Sequence, residues 1–497
     1  MISLMSDASV LHLLLTVSFL TLLWPVFISD KSILHQAGVI IHIFIITFIV
    51  LCIFKAYAES NAGINIGMTI SVVNELEIKL QINKLGMIFA SIVSLLWPAA
   101  YMYSIGYLQS SKEGNNRRFL FFLNLSFCSV ILLCLAQNLI TLFICYEFLS
   151  ISTIPLVAHT PTEHVIKSAK KYMFYLFGGS ICLWLPSLLY IKFHTNFHEF
   201  MVGGIPGLKE FDHSLILVLF LMTLFGILKT AIFPLHSWLP AAMAANYPTS
   251  SVLHAVLVVN AGIYSLYKFT YEVFGKDVIQ ELILDYKFLI YLPVFGVIYS
   301  GIMSIMQETV KKALAWSTVS QLNMLILIAI SSMELSNVLS YHNLIVHSFA
   351  KITLFFTAGC IYARTKATKL YEFRETIYNF KMVYVFFVLA GISLSGLPLF
   401  KSSFLKKLIL ATADQNDNIA VILGVISSSI LSLIYIGRIV IEMSSSFEKN
   451  DQINHNLKYT STSPLMVYSY SYTAILSLIT SYLGNDLHIF LKNFLNS

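Results

Sequence analysis

The chain has 497 residues, 57% hydrophobic and 11% charged, with a mean hydropathy of +0.78. Globular chains carry about 25% charged residues, so this one lacks the polar side chains to cover a water-facing surface; a soluble multidomain protein, a disordered chain and a disulfide scaffold are excluded. The net charge of +6 is spread without a dense basic run to track a phosphate backbone, which argues against nucleic acid as a partner. The six cysteines lie mostly within apolar runs and form no C-x-x-C pair, so neither a metal site nor a cofactor is expected.

A bilayer is crossed by about 20 apolar residues, and about fourteen runs of that length occur. In chain order they are 9–28, 34–55, 84–109, 118–136, 138–159, 168–192, 214–233, 249–270, 286–307, 314–332, 337–362, 382–400, 418–442 and 463–489. The expected fold is therefore an all-α polytopic membrane protein. The first run lacks the basic flank of a signal peptide and leads into a second span, so it reads as a retained helix. Residues 69–82, TISVVNELEIKLQI, alternate apolar and polar side chains over part of their length, which predicts a β-hairpin cap on the outer side. Residues 232–248, IFPLHSWLPAAMAANYP, hold three prolines around a short apolar stretch and predict a broken or re-entrant segment. With the N-terminus outside, the inner loops carry the larger share of Lys and Arg, both termini face outward, and Lys192, Lys268 and Lys276 fall to the outer side.

An ionisable residue inside a span costs about 2.5–3.5 kcal/mol on insertion scales, and so marks a functional site by default. Glu147 lies in the fifth run, about 13 Å deep at 1.5 Å per residue; it is either a functional carboxyl or a helix-packing one. Lys229 lies two-thirds along the seventh, where it either snorkels or meets Glu147 as an ion pair near the bilayer middle. His347 and Lys351, at i and i+4, share one face of the eleventh, with imidazole the group that exchanges protons near neutral pH. His342 points elsewhere. His254, five residues into the eighth run, reads equally as structural or functional. Lys406 follows Pro398, which should interrupt the twelfth helix, whereas Lys401 and Lys407 read as solvated. Lys311 and Lys312 open the tenth run, Lys312 as a positive-inside anchor. Acid, base and imidazole sites at intervals through a bilayer suit a proton relay.

The segment KTAIFPLHSWLPAAMAANYPTSSVLHAVLVVNAGIYSLYK (229–268) resembles the signature of the antiporter-like, proton-conducting membrane subunits. These include subunits 5, 4 and 2 of respiratory complex I and the A-type and D-type chains of multi-subunit (Mrp-type) cation/proton antiporters. The resemblance continues through 118–150, VKKALAWSTVSQLNML (310–325), VHSFAKITLFFTAGCIY (346–362) and GISLSGLPLFKSSFLKKLIL (391–410). It implies fourteen helices with two inverted five-helix repeats and discontinuous helices 7 and 12. The implied units are 1–117 (helices 1–3 with the hairpin), 118–270 (first repeat), 286–442 (second repeat) and 463–497 (last helix). It also implies that Glu147 and Lys229 form the pair that modulates one half-channel. His254, Lys311, His347 and Lys351 would continue the ion path, and Lys406 would stand at the outlet.

Three departures qualify the resemblance. Lys407 stands where subunit 5 has an acid, Asn343 where it has a second histidine, and IKSAKKYMFYLFGGS replaces its sixth-helix motif. The run ending at 489 also leaves no room for the long lateral helix of subunit 5. The expectation is a proton/cation-translocating chain of the D type, part of a multi-subunit cation/proton antiporter in a bacterial inner membrane. Its partners would be other membrane subunits, the lipid bilayer, H⁺ and either Na⁺ or K⁺. The alternatives are a proton-pumping arm subunit of NADH-quinone oxidoreductase, in a bacterial or mitochondrial inner membrane, and a non-transporting assembly paralogue.

Overall fold

The computed structural model describes residues 15–16, 18–22, 38, 41–52, 67–73, 76–111, 113–195, 197, 199–331, 333, 335–396, 403–446 and 463–496. Of the first two predicted spans only parts lie among these residues, including helix α1 (Ile41–Cys52). The predicted hairpin is present as β1 (Gly67–Val73) and β2 (Leu76–Gln81), antiparallel with Thr69 opposite Lys79 and Ile70 opposite Ile78. Its edge is used rather than exposed. The Lys79 N–H donates to Thr141 Oγ1 at 2.9 Å, the Lys79 amine meets Glu199 at 2.5 Å, and Asn138 Nδ2 donates to the Glu77 carbonyl at 2.7 Å. These bonds pin the hairpin over one end of the helix bundle.

The helices that follow are α2 (Lys84–Ser111), α3 (Asn116–Leu135), α4 (Leu139–Val157), α5 (Glu163–Thr195) and α6 (His213–Gly226). Then come α7 (Tyr247–Phe274), α8 (Lys276–Asp285), α9 (Phe288–Ile305), α10 (Val310–Ile330) and α11 (Ser336–Thr365). The last are α12 (Lys381–Ser395), α13 (Ser403–Gln415), α14 (Ile419–Ser444), α15 (Pro464–Tyr482) and α16 (Gly484–Asn496). Several starts are set by a polar side chain that satisfies an orphan N–H: Asn138 for α4, Thr162 for α5, Asn246 for α7 and Asn418 for α14. Among the described residues nine helices are long and apolar enough to cross a bilayer, and the protein is a polytopic all-α membrane protein.

Burial divides these helices. The apolar windows of α7 and α11 are buried along their whole length, while more than half of each window in α5 and α14 is not buried. A helix apolar all round belongs in the interior of a bundle, so α7 and α11 form its axis.

The structure corrects several boundaries. The seventh run, predicted as a helix over 214–233, is helical only to Gly226; a 3₁₀ turn at Leu228–Thr230 and an irregular stretch follow. The break thus starts before the prolines, because its freed polar groups find tertiary partners there. The last run, predicted as one span over 463–489, is two helices bent by 79° between Tyr482 and Gly484. Lys192 and Lys268, which close apolar runs in the sequence, are buried at 8% and 0% exposure. Pro398 and Lys401 lie outside the described residues.

Candidate functional site

The break after α6 is built by close approach. A Cβ on Gly226 would stand 2.6 Å from the Trp184 backbone, and one on Gly262 of α7 would stand 2.5 Å from the Lys229 carbonyl carbon. Only glycines let α5 and α7 close on the broken strand. Ala231 takes a left-handed conformation, with φ of 49°. The Leu228 carbonyl accepts from Trp238 Nε1 at 2.9 Å, and Asn323 of α10 both accepts from the Phe233 N–H at 3.3 Å and donates to the Ala231 carbonyl at 3.4 Å. Irregular backbone at membrane depth is tolerated because protein groups replace the lost helical bonds.

This break holds Lys229, which is fully buried. Its amine donates to the Tyr146 carbonyl at 2.8 Å and to Ser150 Oγ at 2.7 Å, and lies 3.0 Å from the centre of the Tyr146 ring. The ion pair expected with Glu147 is not formed within 4.0 Å. Neither carboxylate oxygen of Glu147 has a hydrogen-bond partner among the described residues. The lysine is therefore parked on the serine three residues along α4 from the acid, on the same face of that helix.

Lys351 on α11 repeats the arrangement. It is fully buried, and its amine donates to Ser317 Oγ and, at 3.3 Å, to the Leu314 carbonyl, so it sits on a serine and the carbonyl one turn before it. Lys406 on α13 donates to the Ser395 carbonyl at 2.7 Å and to Ser429 Oγ at 3.0 Å, beside Gly396, whose φ of 69° ends α12. Three lysines in three places are thus held by one carbonyl and one serine each, with no carboxylate in contact. A buried ammonium prefers a counter-charge, so neutral oxygens suit an amine that both keeps and gives up its proton.

Two histidines stand near Lys351. His254 and His347 are buried at 0% and 2% exposure, and all four ring nitrogens lack a hydrogen-bond partner among the described residues. His254 stands within electrostatic reach of His347, Lys351 and Lys311, so the structure gathers residues that the sequence scatters over three helices.

Lys311 lies at the opposite end of the bundle from the hairpin. Its amine donates to the Ala245 carbonyl and lies 4.8 Å from the Tyr247 ring centre. It lines a cavity of about 800 Å³ together with Glu113, His164, Asn246, Trp316 and Thr368. Glu113 accepts from Asn246 Nδ2 at 3.0 Å and stands 3.8 Å from His159 Nε2. Burial holds the His159 imidazole below its ordinary range, against the opposing pull of the Glu113 carboxylate. Lys407, read as solvated, is exposed, and so is Lys312.

Sequence reasoning missed Glu113 and His159, which lie in loops without a spacing signal, and the serines, whose role depends on which lysine reaches them. It also missed Lys268 and Glu272, a buried ion pair of 2.8 Å at i and i+4 in α7. Their spacing is visible in KFTYE, but Lys268, at the end of an apolar run, counts by position with the outer-side lysines, and Glu272 carries no signal of its own.

Comparison with known proteins bears on the same region. Residues 136–432 match the family described as NADH:quinone oxidoreductase/Mrp antiporter, TM. Proteins from Staphylococcus aureus strains COL and JH9 that bear the name antiporter subunit mnhA2 are 29% identical over 350 residues, 67% of this chain and 42% of theirs. The chain thus spans about two fifths of the length of the curated relatives it matches. Those relatives carry an A-type name, whereas the sequence pattern leans to the D type. A chain of the membrane-bound sulfane sulfur reductase, an archaeal respiratory membrane complex, has the same fold: the TM-score is 0.81 at 18% identity, over 98% of this chain and 97% of that one.

Proposed function

The chain belongs to the NADH:quinone oxidoreductase/Mrp antiporter membrane family, and from that premise we propose that it is an ion-translocating component of a multi-subunit cation/proton antiporter in a bacterial inner membrane. The observation that carries this reading is Lys229, buried in a helix break and bonded to Ser150 one turn from an unpartnered Glu147. Moving the amine from Ser150 to Glu147 takes it about 4.5 Å along α4. At 4 Å the pair gains about 4 kcal/mol at an effective dielectric of 20, enough to bias whether the lysine holds its proton. The proton then passes along His254, His347 and Lys351, exchanging with Lys406, with Lys311 and its cavity as the inner mouth. H⁺ is exchanged for Na⁺ or K⁺ with the help of other membrane subunits.

The second reading, a proton-pumping membrane arm powered by quinone reduction elsewhere, is favoured by the family's own scope, which takes in both kinds of complex. Expression with its neighbouring genes in an antiporter-deficient host separates them. Restored salt tolerance, lost in Lys229→Ala and Glu147→Ala, supports the antiporter; co-purification with flavin-containing, NADH-oxidising subunits supports the other.

A further inference from the structure

Asn260, Tyr264, Lys268 and Glu272 recur every fourth residue along the outward half of α7 and so lie on one slowly winding face. The row begins beside the histidines. Asn260 Nδ2 donates to Ser348 Oγ of α11 at 2.8 Å, next to His347, and to the Ala255 carbonyl at 2.8 Å, which a distortion after His254 leaves free. Tyr264 Oη donates to the Cys134 carbonyl at 3.3 Å. The row ends at the Lys268–Glu272 pair, beneath the segment that follows α5. There the Met201 and Ile205 N–H groups donate to the Glu272 and Val273 carbonyls at 3.1 and 2.8 Å, and the Phe200 ring centre lies 4.2 Å from the Lys268 amine. That segment is tied to the hairpin through Glu199 and Lys79, so the row leads to the hairpin side of the molecule.

Beyond each other, Lys268 Nζ and Glu272 Oε2 have no hydrogen-bond partner among the described residues, and neither Asn260 Oδ1 nor Tyr341 Oη of α11 has one. Lys268 is 0% exposed and Glu272 8%. A buried ion pair is poor stabilisation, since desolvating both charges offsets their attraction. A helix anchor could be made from apolar side chains; the π-helical turn at Phe269–Phe274 also marks the place as irregular, as functional sites often are.

We infer that this face of α7 is an outward proton path, and that Glu272, held by Lys268, is its release group. The inference rests on the translocation reading above. Successive side chains stand about 6 Å apart along the axis, a gap that one water bridges with two hydrogen bonds. A proton that leaves the His347 imidazolium as its N–H bond breaks, and travels along the row as hydronium, adds to Glu272 Oε2, forming the O–H bond of a carboxylic acid and leaving neutral water behind. That bond then breaks toward outer water, which takes the proton as hydronium, and the carboxylate re-forms its pair with Lys268. Lys268 is a positioning residue that keeps its own proton. The titratable groups around the pair are Tyr264 and Tyr271 of α7, Tyr341 of α11 and Cys134 of α3.

The test uses membrane vesicles holding the full complex, with Lys229→Ala as control. Glu272→Gln and the charge-neutral double variant Lys268→Met/Glu272→Gln are expected to transport at least tenfold more slowly at unchanged abundance. Lys268→Arg, which keeps the counter-charge, should stay within twofold of the unmodified rate. Infrared difference spectra on a pH step are expected to contain a carboxyl band that Glu272→Gln removes. A double variant that transports normally, or spectra that Glu272→Gln leaves unchanged, overturns the inference. Normal transport in Lys229→Ala overturns the proposed function instead, and the infrared band still decides the role of Glu272.

Discussion

The amine of Lys229 donates to Ser150 Oγ at 2.7 Å, a residue three places along α4 from the carboxylate it was expected to meet. The serine competes with Glu147 for one cation, so it sets how readily the pair forms. Removing it should trap the lysine on the acid. A hydrogen bond to a charged group contributes about 1.5–3 kcal/mol, so Ser150→Ala is expected to slow transport about tenfold or more. Ser150→Thr, which keeps the hydroxyl, should stay near the unmodified rate. Initial rates in vesicles decide it, and equal rates for Ser150→Ala and the unmodified protein would discard the parking site.

Gly262 and Gly178 offer a matched contrast. A Cβ at Gly262 meets backbone atoms of Lys229 and Thr230 at 2.5 and 2.6 Å, which no rotamer change relieves, whereas one at Gly178 has nothing within 4 Å. Gly262→Ala should destabilise the protein by about 1–3 kcal/mol through overpacking and lower its abundance. Gly178→Ala should stabilise it by up to about 1 kcal/mol through helix propensity. Thermal unfolding in detergent measures both, and a Gly262→Ala protein as stable as the unmodified one would contradict the close approach.

Asn323 holds two backbone groups of the break at once, the Phe233 N–H and the Ala231 carbonyl. Asn323→Ala leaves both unsatisfied in a buried setting, at about 1–3 kcal/mol each. Transport is expected to fall with a loss of thermal stability, although no ionisable group has changed. A variant with normal stability would mean that the break is held by other contacts.

Arginine cannot give up its proton in a protein, so Lys351→Arg separates charge from proton exchange. It keeps the cation on Ser317 while removing the ability to cycle, and transport should be abolished. A Lys351→Arg variant with more than about a tenth of the normal rate would remove Lys351 from the relay.

In the loops beside Lys311 the prediction concerns pH. The Glu113 carboxylate stabilises the His159 imidazolium, and burial opposes it. Glu113→Gln removes the favourable partner, so His159 should titrate at lower pH than in the unmodified protein. Histidine carbon chemical shifts in selectively labelled protein follow it directly, and an upward move would reverse the assigned cause.

Glu147, Lys229, His347 and Lys351 were legible in the sequence because an apolar run makes any charge within it conspicuous. The serines that hold the lysines were not, since serine is ordinary in a helix and gains its role only from a neighbour on another one. Lys268 shows the opposite failure. A lysine near the end of a run looks solvated until residues 199–205 fold back over it.

Composition and hydropathy thus determined by themselves that this is a polytopic helical membrane protein, because about 20 apolar residues must stay together to cross lipid. They also placed most of its costly charges. Only the tertiary structure decided where the helix breaks begin, which oxygen each amine rests on, and which lysines are buried. Each of those depends on partners distant in sequence, such as Asn323 for the break and Ser150 for Lys229, and no local pattern records them.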